Sequence, residues 1–192
     1  MRFAVVMVFG LGMLAACRPE PVPHNPGRGP RGPVEEHVVD RDPTQSKAPD
    51  ESVVVRADGT QFDLATLWQK HRALVVFYMG GWCPHCKRQL ETLQQYQKEI
   101  SELDAVIVGV SADKPEDAKA FHDKLGLAYE LVSDPDLTVI AKWGVEDVGQ
   151  HLAYPATFIV EPGGAISFRK VGTGQTDRPT IEQIMTALRN TQ

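Results

Sequence analysis

The chain has 192 residues, 20 Lys and Arg against 25 Asp and Glu, and a formal net charge of −5. That acidic balance excludes the basic footprint of a nucleic-acid-binding domain, so no nucleic-acid partner is expected. Its three cysteines, Cys17, Cys83 and Cys86, exclude a disulfide-stapled scaffold, which needs several well-separated pairs.

The elements follow in chain order. Met1-Arg2 carries positive charge, and an apolar run extends from Phe3 to Leu14. A charged start, an apolar centre and small residues at a cut site describe a secretory signal peptide over residues 1–16. The run is short for a membrane span. Leu14-Ala15-Ala16-Cys17 resembles a bacterial lipobox. The resemblance implies cleavage before Cys17, which becomes a lipidated N-terminus. Residues 17–48 are rich in Pro, Gly and charge and poor in large apolar side chains. They cannot bury enough surface to fold and should form a flexible linker. The folded domain is expected over residues 49–192. These features predict a protein of the bacterial cell envelope, tethered to a membrane on the periplasmic side. Arg18 stands where an Asp would favour retention at the inner membrane, so the outer membrane is favoured.

Val53-Val54-Val55 reads as a short strand, Asp58-Gly59 as a turn and Leu64 to Lys70 as a short helix. Ala73 to Tyr78 is continuously apolar, as a buried strand should be. A helix is expected from about Pro84 to Glu99. Ala105 to Val110 is a second buried strand. Pro115 to Leu125 is a helix with Ala118, Phe121 and Leu125 at helical spacing and Asp113 as a possible N-cap. Leu131-Val132 starts a strand, and Asp136 to Trp143 is helical. Ala156 to Val160 and Ile166 to Arg169 flank Pro162-Gly163-Gly164, a hairpin signal. Pro179 to Arg189 is a last helix. The class is α/β: a central mixed sheet flanked by helices.

The chemistry concentrates at Trp82-Cys83-Pro84-His85-Cys86. This places two thiols between a strand and a helix. A thiolate at a helix N-terminus faces unpaired N–H groups and the positive end of the macrodipole, which favour its charged form. A second thiol one turn later can resolve a mixed disulfide made by the first. Pro84 suits the first helical turn, where its missing N–H costs nothing. His85 can tune the pair by charge or hydrogen bonding. Zinc would need two further ligands, and the chain has no second cysteine pair. Neither metal nor cofactor is expected beyond a redox-active Cys83–Cys86 disulfide.

From Val53 to Arg189 the chain resembles the thioredoxin superfamily, and within it the peroxiredoxin-like (AhpC/TSA, redoxin) branch. The resemblance rests on Phe77-Tyr78 before the cysteine motif, Val108-Gly109-Val110-Ser111-Ala112-Asp113, Leu131-Val132-Ser133-Asp134-Pro135, Trp143-Gly144-Val145 and Tyr154-Pro155-Ala156-Thr157-Phe158-Ile159-Val160. It implies a thioredoxin-like fold with the site at the start of the first long helix. It also implies a cis-proline at Pro155 that presents the backbone of Tyr154 to a substrate peptide. Trp82 is expected to pack beside the site.

Aligned on Phe77-Tyr78, the branch's peroxidase motif places Cys86 at the peroxidatic position and Cys83 at that of its Thr. Met79 replaces the motif's Pro, and Pro155 replaces a later Arg. With these groups gone, disulfide exchange with exported thiol or disulfide proteins is the expected activity. Cys83 would attack, Cys86 would resolve, and a redox partner the sequence does not identify would complete the cycle. The alternative is a thiol-dependent peroxidase with Cys86 as the peroxidatic thiol. A second alternative is a tethered binding domain without catalysis, or one that handles metal.

Overall fold

The computed structural model describes residues 46–190. The signal segment, Cys17 and most of the linker lie outside them. Paired backbone already includes Lys47, which bridges to Ala165, while Ala48 is buried. Packing therefore begins before residue 49.

A seven-stranded sheet runs in the order β2-β1-β5-β4-β3-β8-β9. Its strands are β1 (Val53–Val55), β2 (Gln61–Asp63), β3 (Arg72–Phe77), β4 (Ala105–Ser111), β5 (Glu130–Ser133), β8 (Ala156–Val160) and β9 (Ile166–Val171). β3, β4 and β5 are parallel, and the outer strands join antiparallel. A small separate ribbon pairs β6 (Glu146–Asp147) with β7 (Leu152–Ala153). The expected mixed sheet is present. The segment after Leu64 is a single 3-10 turn, Leu64–Thr66, capped by the Asp63 carboxylate. A longer helix was expected there.

Strand periodicity divides the core. In β3, Ala73, Val75 and Phe77 point to one face of the sheet, while Leu74, Val76 and the following Tyr78 point to the other. The first face packs an aromatic cluster around Trp143, whose ring lies 4.9 Å from Phe158 and 5.3 Å from Phe77. The Trp143 indole N–H donates to Ser52 Oγ at 3.1 Å, so this fully buried ring leaves no polar atom unpaired. Complete burial of such a side chain contributes on the order of 2–3 kcal/mol.

The second face carries the site. It is covered by α1 (Pro84–Gln95), α3 (Pro115–Leu125) and α5 (Ile181–Asn190), through Leu90, Leu93, Phe121, Ile184 and Leu188. The helix expected to reach Glu99 breaks at Tyr96 (φ −97°, ψ 5°) and restarts as α2 (Gln97–Glu102). α3 matches its expected span. Its N-cap is Lys114 rather than Asp113, because the Asp113 carboxylate is turned to the loop before α1. α4 (Thr138–Lys142) is shorter than expected: its preceding residue, Leu137, adopts φ +59°, which cannot continue a right-handed helix N-terminally.

Candidate active site

The site forms where β3 ends and α1 begins. Cys83 takes extended dihedrals and caps α1: its Sγ accepts the Cys86 N–H at 3.3 Å, and its carbonyl accepts the Lys87 N–H at 3.0 Å. The thiol thus fills a cap position usually held by an oxygen. Pro84 is at the first helical position, as expected. A tight turn, Cys83 N–H to Gly80 carbonyl at 3.1 Å, aims the chain into the helix. Asp113 Oδ2 accepts the Gly81 N–H at 2.9 Å and fastens this turn to the end of β4. Burial pushes the Asp113 carboxyl up, while the Gly81 and Ser111 hydrogen bonds pull it down.

Both sulfurs are free thiols and nearly inaccessible, Cys83 at 1% and Cys86 at 0% exposure. Burial pushes the Cys86 thiol up to about 11, and neighbouring Cys83 adds to the rise. The Arg178 charge and the Met79 backbone pull the other way.

Arg178 is the residue sequence reasoning missed. Its Nη2 donates to Cys86 Sγ at 3.2 Å and lies 3.9 Å from Cys83 Sγ. Its Nη1 donates to Gln89 Oε1, and Gln89 Nε2 donates to Thr157 Oγ1 at 3.3 Å. The side chain is thereby braced against α1 and β8. Arg178 arrives on the segment between β9 and α5, ninety-two residues after Cys86. Its sequence signal is slight: an Arg-Pro step just before an amphipathic helix.

Pro155 has a different role from the expected one. No cis peptide bond occurs among the described residues, so the cis reading is corrected. Pro155 is a buried trans proline leading into β8, where a residue lacking an N–H donor is tolerated. Its carbonyl accepts the Gly172 N–H at 2.8 Å and so holds the start of the Arg178 segment. Gly172 must be glycine there: a Cβ would lie 2.2 Å from the Asp177 carbonyl oxygen and 3.0 Å from that of Pro155. The Tyr154 N–H is bonded to the Val145 carbonyl at 2.7 Å, so it is not open to a substrate strand.

Among the described residues the hydrogen bonds to the two sulfurs come from the Cys86 N–H and Arg178, not from His85. Its Nδ1 accepts from Arg88 Nη2 at 2.7 Å, one turn along α1. Trp82 is 60% exposed, far more than a ring packed beside the site. It lies over Gly80, whose missing side chain makes the room.

A buried thiol pair at a helix start, with a guanidinium fixed on one sulfur, belongs to thiol-based redox enzymes. Comparison with known proteins agrees. The AhpC/TSA family model matches residues 44–169, and the chain belongs to that family, in the peroxiredoxin-like branch of the thioredoxin superfamily. A Mycobacterium tuberculosis protein provisionally classed as a peroxiredoxin is 32% identical over 118 residues, 57% of this chain and 73% of that one. Alkyl hydroperoxide reductase C of Staphylococcus aureus is 30% identical over 116 residues, covering 58% of this chain and 59% of its own. Among solved structures, peroxidoxin BcpB of Mycobacterium tuberculosis superposes with a TM-score of 0.67 at 22% identity, over 77% of this chain and 99% of that one. That likeness is one of fold: the sheet and helices here are thioredoxin-like. The protein is an oxidoreductase of this family.

Proposed function

We propose that the chain is a thiol-dependent peroxidase in which Cys86 is oxidised by a hydroperoxide and Cys83 resolves the product. The observation that carries this reading is the Arg178 guanidinium 3.2 Å from Cys86 Sγ. It puts back, from a different part of the chain, the donor lost where Pro155 stands. A peroxide needs donors aimed at the oxygen that gains charge as the O–O bond breaks. Family membership also supports this reading over disulfide exchange with exported proteins.

The steps balance as follows. Cys86 sulfur attacks the terminal peroxide oxygen, the S–O bond forms and the O–O bond breaks. The thiol proton ends on the departing oxygen, so R–OOH becomes R–OH and Cys86 becomes a sulfenic acid. Cys83 thiol then attacks that sulfur and releases water, leaving a Cys83–Cys86 disulfide. An external dithiol reduces it by exchange and is itself oxidised to a disulfide.

The raised Cys86 thiol sets the pH dependence. The attacking form is the thiolate. Below a value of about 11 its fraction climbs tenfold per pH unit. The rate constant for oxidation of the reduced protein by peroxide should therefore rise steadily from about pH 6 to pH 10. Stopped-flow measurement of tryptophan fluorescence checks this. A plateau already reached at neutral pH would mean that a different thiol attacks.

A second reading keeps Cys83 as the nucleophile of disulfide exchange, favoured by its place as the cap of α1. Parallel assays of the reduced protein on hydroperoxide and on a protein disulfide separate the two. Oxidation by peroxide faster than exchange is the expected result, and the reverse order would establish exchange.

We also propose that Cys17 anchors the domain by lipid to a membrane on the periplasmic side, from the lipobox-like sequence that precedes it. Radiolabelled palmitate should be incorporated into the wild type and not into Cys17→Ala. An unlabelled wild type would refute the anchor.

A further inference from the structure

Beside the thiol pair, α1 and α5 leave an open groove of about 240 Å³. Its floor is apolar, formed by Leu93 and Ile184, with Ile181 at the side. Its rim is cationic and polar: Arg88 and Arg178, with His85 beside Arg88. No carboxylate lines it. Neither arginine forms an ion pair among the described residues, although the chain as a whole is acidic. Lys87, next to Arg88, is paired with Glu91 on a neighbouring part of the helix. Two unneutralised guanidinium groups over an apolar floor are complementary to an anion with an alkyl body. Guanidinium in particular matches a carboxylate by its planar fork of donors. That volume lies just below the roughly 300–1,000 Å³ of pockets that take drug-sized ligands, which suits a small molecule. Arg178 belongs to both places: it lines the groove and holds Cys86 Sγ.

We infer that this groove binds a small amphipathic carboxylate, and that the preferred oxidant is an organic hydroperoxide that carries one. The carboxylate sits on Arg88 with His85 behind it, and the alkyl body lies on Leu93, Ile181 and Ile184. The peroxide end is presented past Arg178 to Cys86. The inference rests on the peroxidase reading and gives it a substrate class. The electron balance is unchanged: two electrons from the thiol pair reduce R–OOH to R–OH.

The test has two arms on the full chain. In the first, binding of octanoate and of butyrate, neither of which can react, is measured by titration calorimetry. Octanoate should bind at least tenfold more tightly than butyrate, since added methylenes gain only if the floor is used. Arg88→Gln should weaken octanoate at least tenfold. In the second arm, kcat/KM is compared for a hydroperoxy acid and its methyl ester. The acid should be preferred at least tenfold by the wild type, with the ratio falling toward one in Arg88→Gln. Equal rates for acid and ester, with no octanoate binding, would overturn the inference and leave the peroxidase reading standing. Equal binding of butyrate and octanoate would overturn the part played by the floor. Octanoate binding without turnover of any hydroperoxide would instead remove the peroxidase reading and the hydroperoxide assignment together, keeping only the carboxylate site.

Discussion

Cys86→Ser is expected to abolish peroxide reduction, while Cys83→Ser should still consume one peroxide per chain and then stop. The asymmetry follows from position. Arg178 is hydrogen-bonded at 3.2 Å to Cys86 Sγ but only at 3.9 Å to Cys83 Sγ, so the donor is aimed at Cys86. Removing Cys86 removes the attacking sulfur. Removing the Cys83 sulfur leaves the first step and deletes the second, so a sulfenic acid accumulates on Cys86. Mass spectrometry after dimedone treatment should find the adduct at Cys86 in Cys83→Ser only. Folding should not confuse the result. Cys83 is the N-cap of α1, and serine is among the favoured residues there, so Cys83→Ser keeps an acceptor for the Cys86 N–H. Rapid, repeated turnover by Cys86→Ser would reverse the roles. Stable mixed disulfides trapped by that same variant would favour the exchange reading.

Arg178→Ala should lower kcat/KM for hydroperoxide by about 10²–10³, the usual loss when one donor to a developing negative charge is deleted. It should also raise the Cys86 thiol further, because the guanidinium is one of the groups that pull it down. The pH profile would then move to higher pH. Arg178→Lys keeps the charge but cannot bond Gln89 and Cys86 together, so it should recover only part of the rate. A Cβ at position 172 would collide with the Asp177 carbonyl, so Gly172→Ala should displace Arg178 and act in the same direction. Steady-state kinetics on all three variants, with circular dichroism to confirm the fold, checks the set. Wild-type rates in Arg178→Ala would remove the main support for the peroxidase reading.

Much of this was legible in the sequence because its causes are local. The apolar runs at β3 and β4 are strands for want of any polar face. Pro84 after Cys83 marks the helix start by its own geometry. The hairpin at Pro162-Gly163-Gly164 is turn chemistry. Arg178 was not legible: its place depends on how a loop folds back across the sheet, and no spacing along the chain encodes that. The expectation of disulfide exchange rested on the replacements at Met79, Cys83 and Pro155, and position-by-position matching has no way to register a guanidinium that reaches Cys86 from another segment. Asp113 failed similarly. As a cap it would serve its own helix, but the tertiary contact to Gly81 wins. Pro155 was read by resemblance as cis, and its trans bond into β8 follows the ordinary behaviour of a proline at a strand start.

The capping of α1 by a sulfur has a consequence for survival under oxidant. Cys83 Sγ is 3.3 Å from the Cys86 N–H, so the two thiols share one helical turn from the outset. In the proposed cycle no helix has to melt before they can join. The sulfenic acid on Cys86 faces a neighbour whose effective molarity can reach about 10⁵ M or more in well-oriented intramolecular reactions. A second peroxide, arriving at bulk concentration, must outrun that to reach the irreversible sulfinic stage. Overoxidation is therefore disfavoured by architecture, and the protein should keep cycling at peroxide concentrations that would disable an enzyme whose resolving thiol lies on a distant segment.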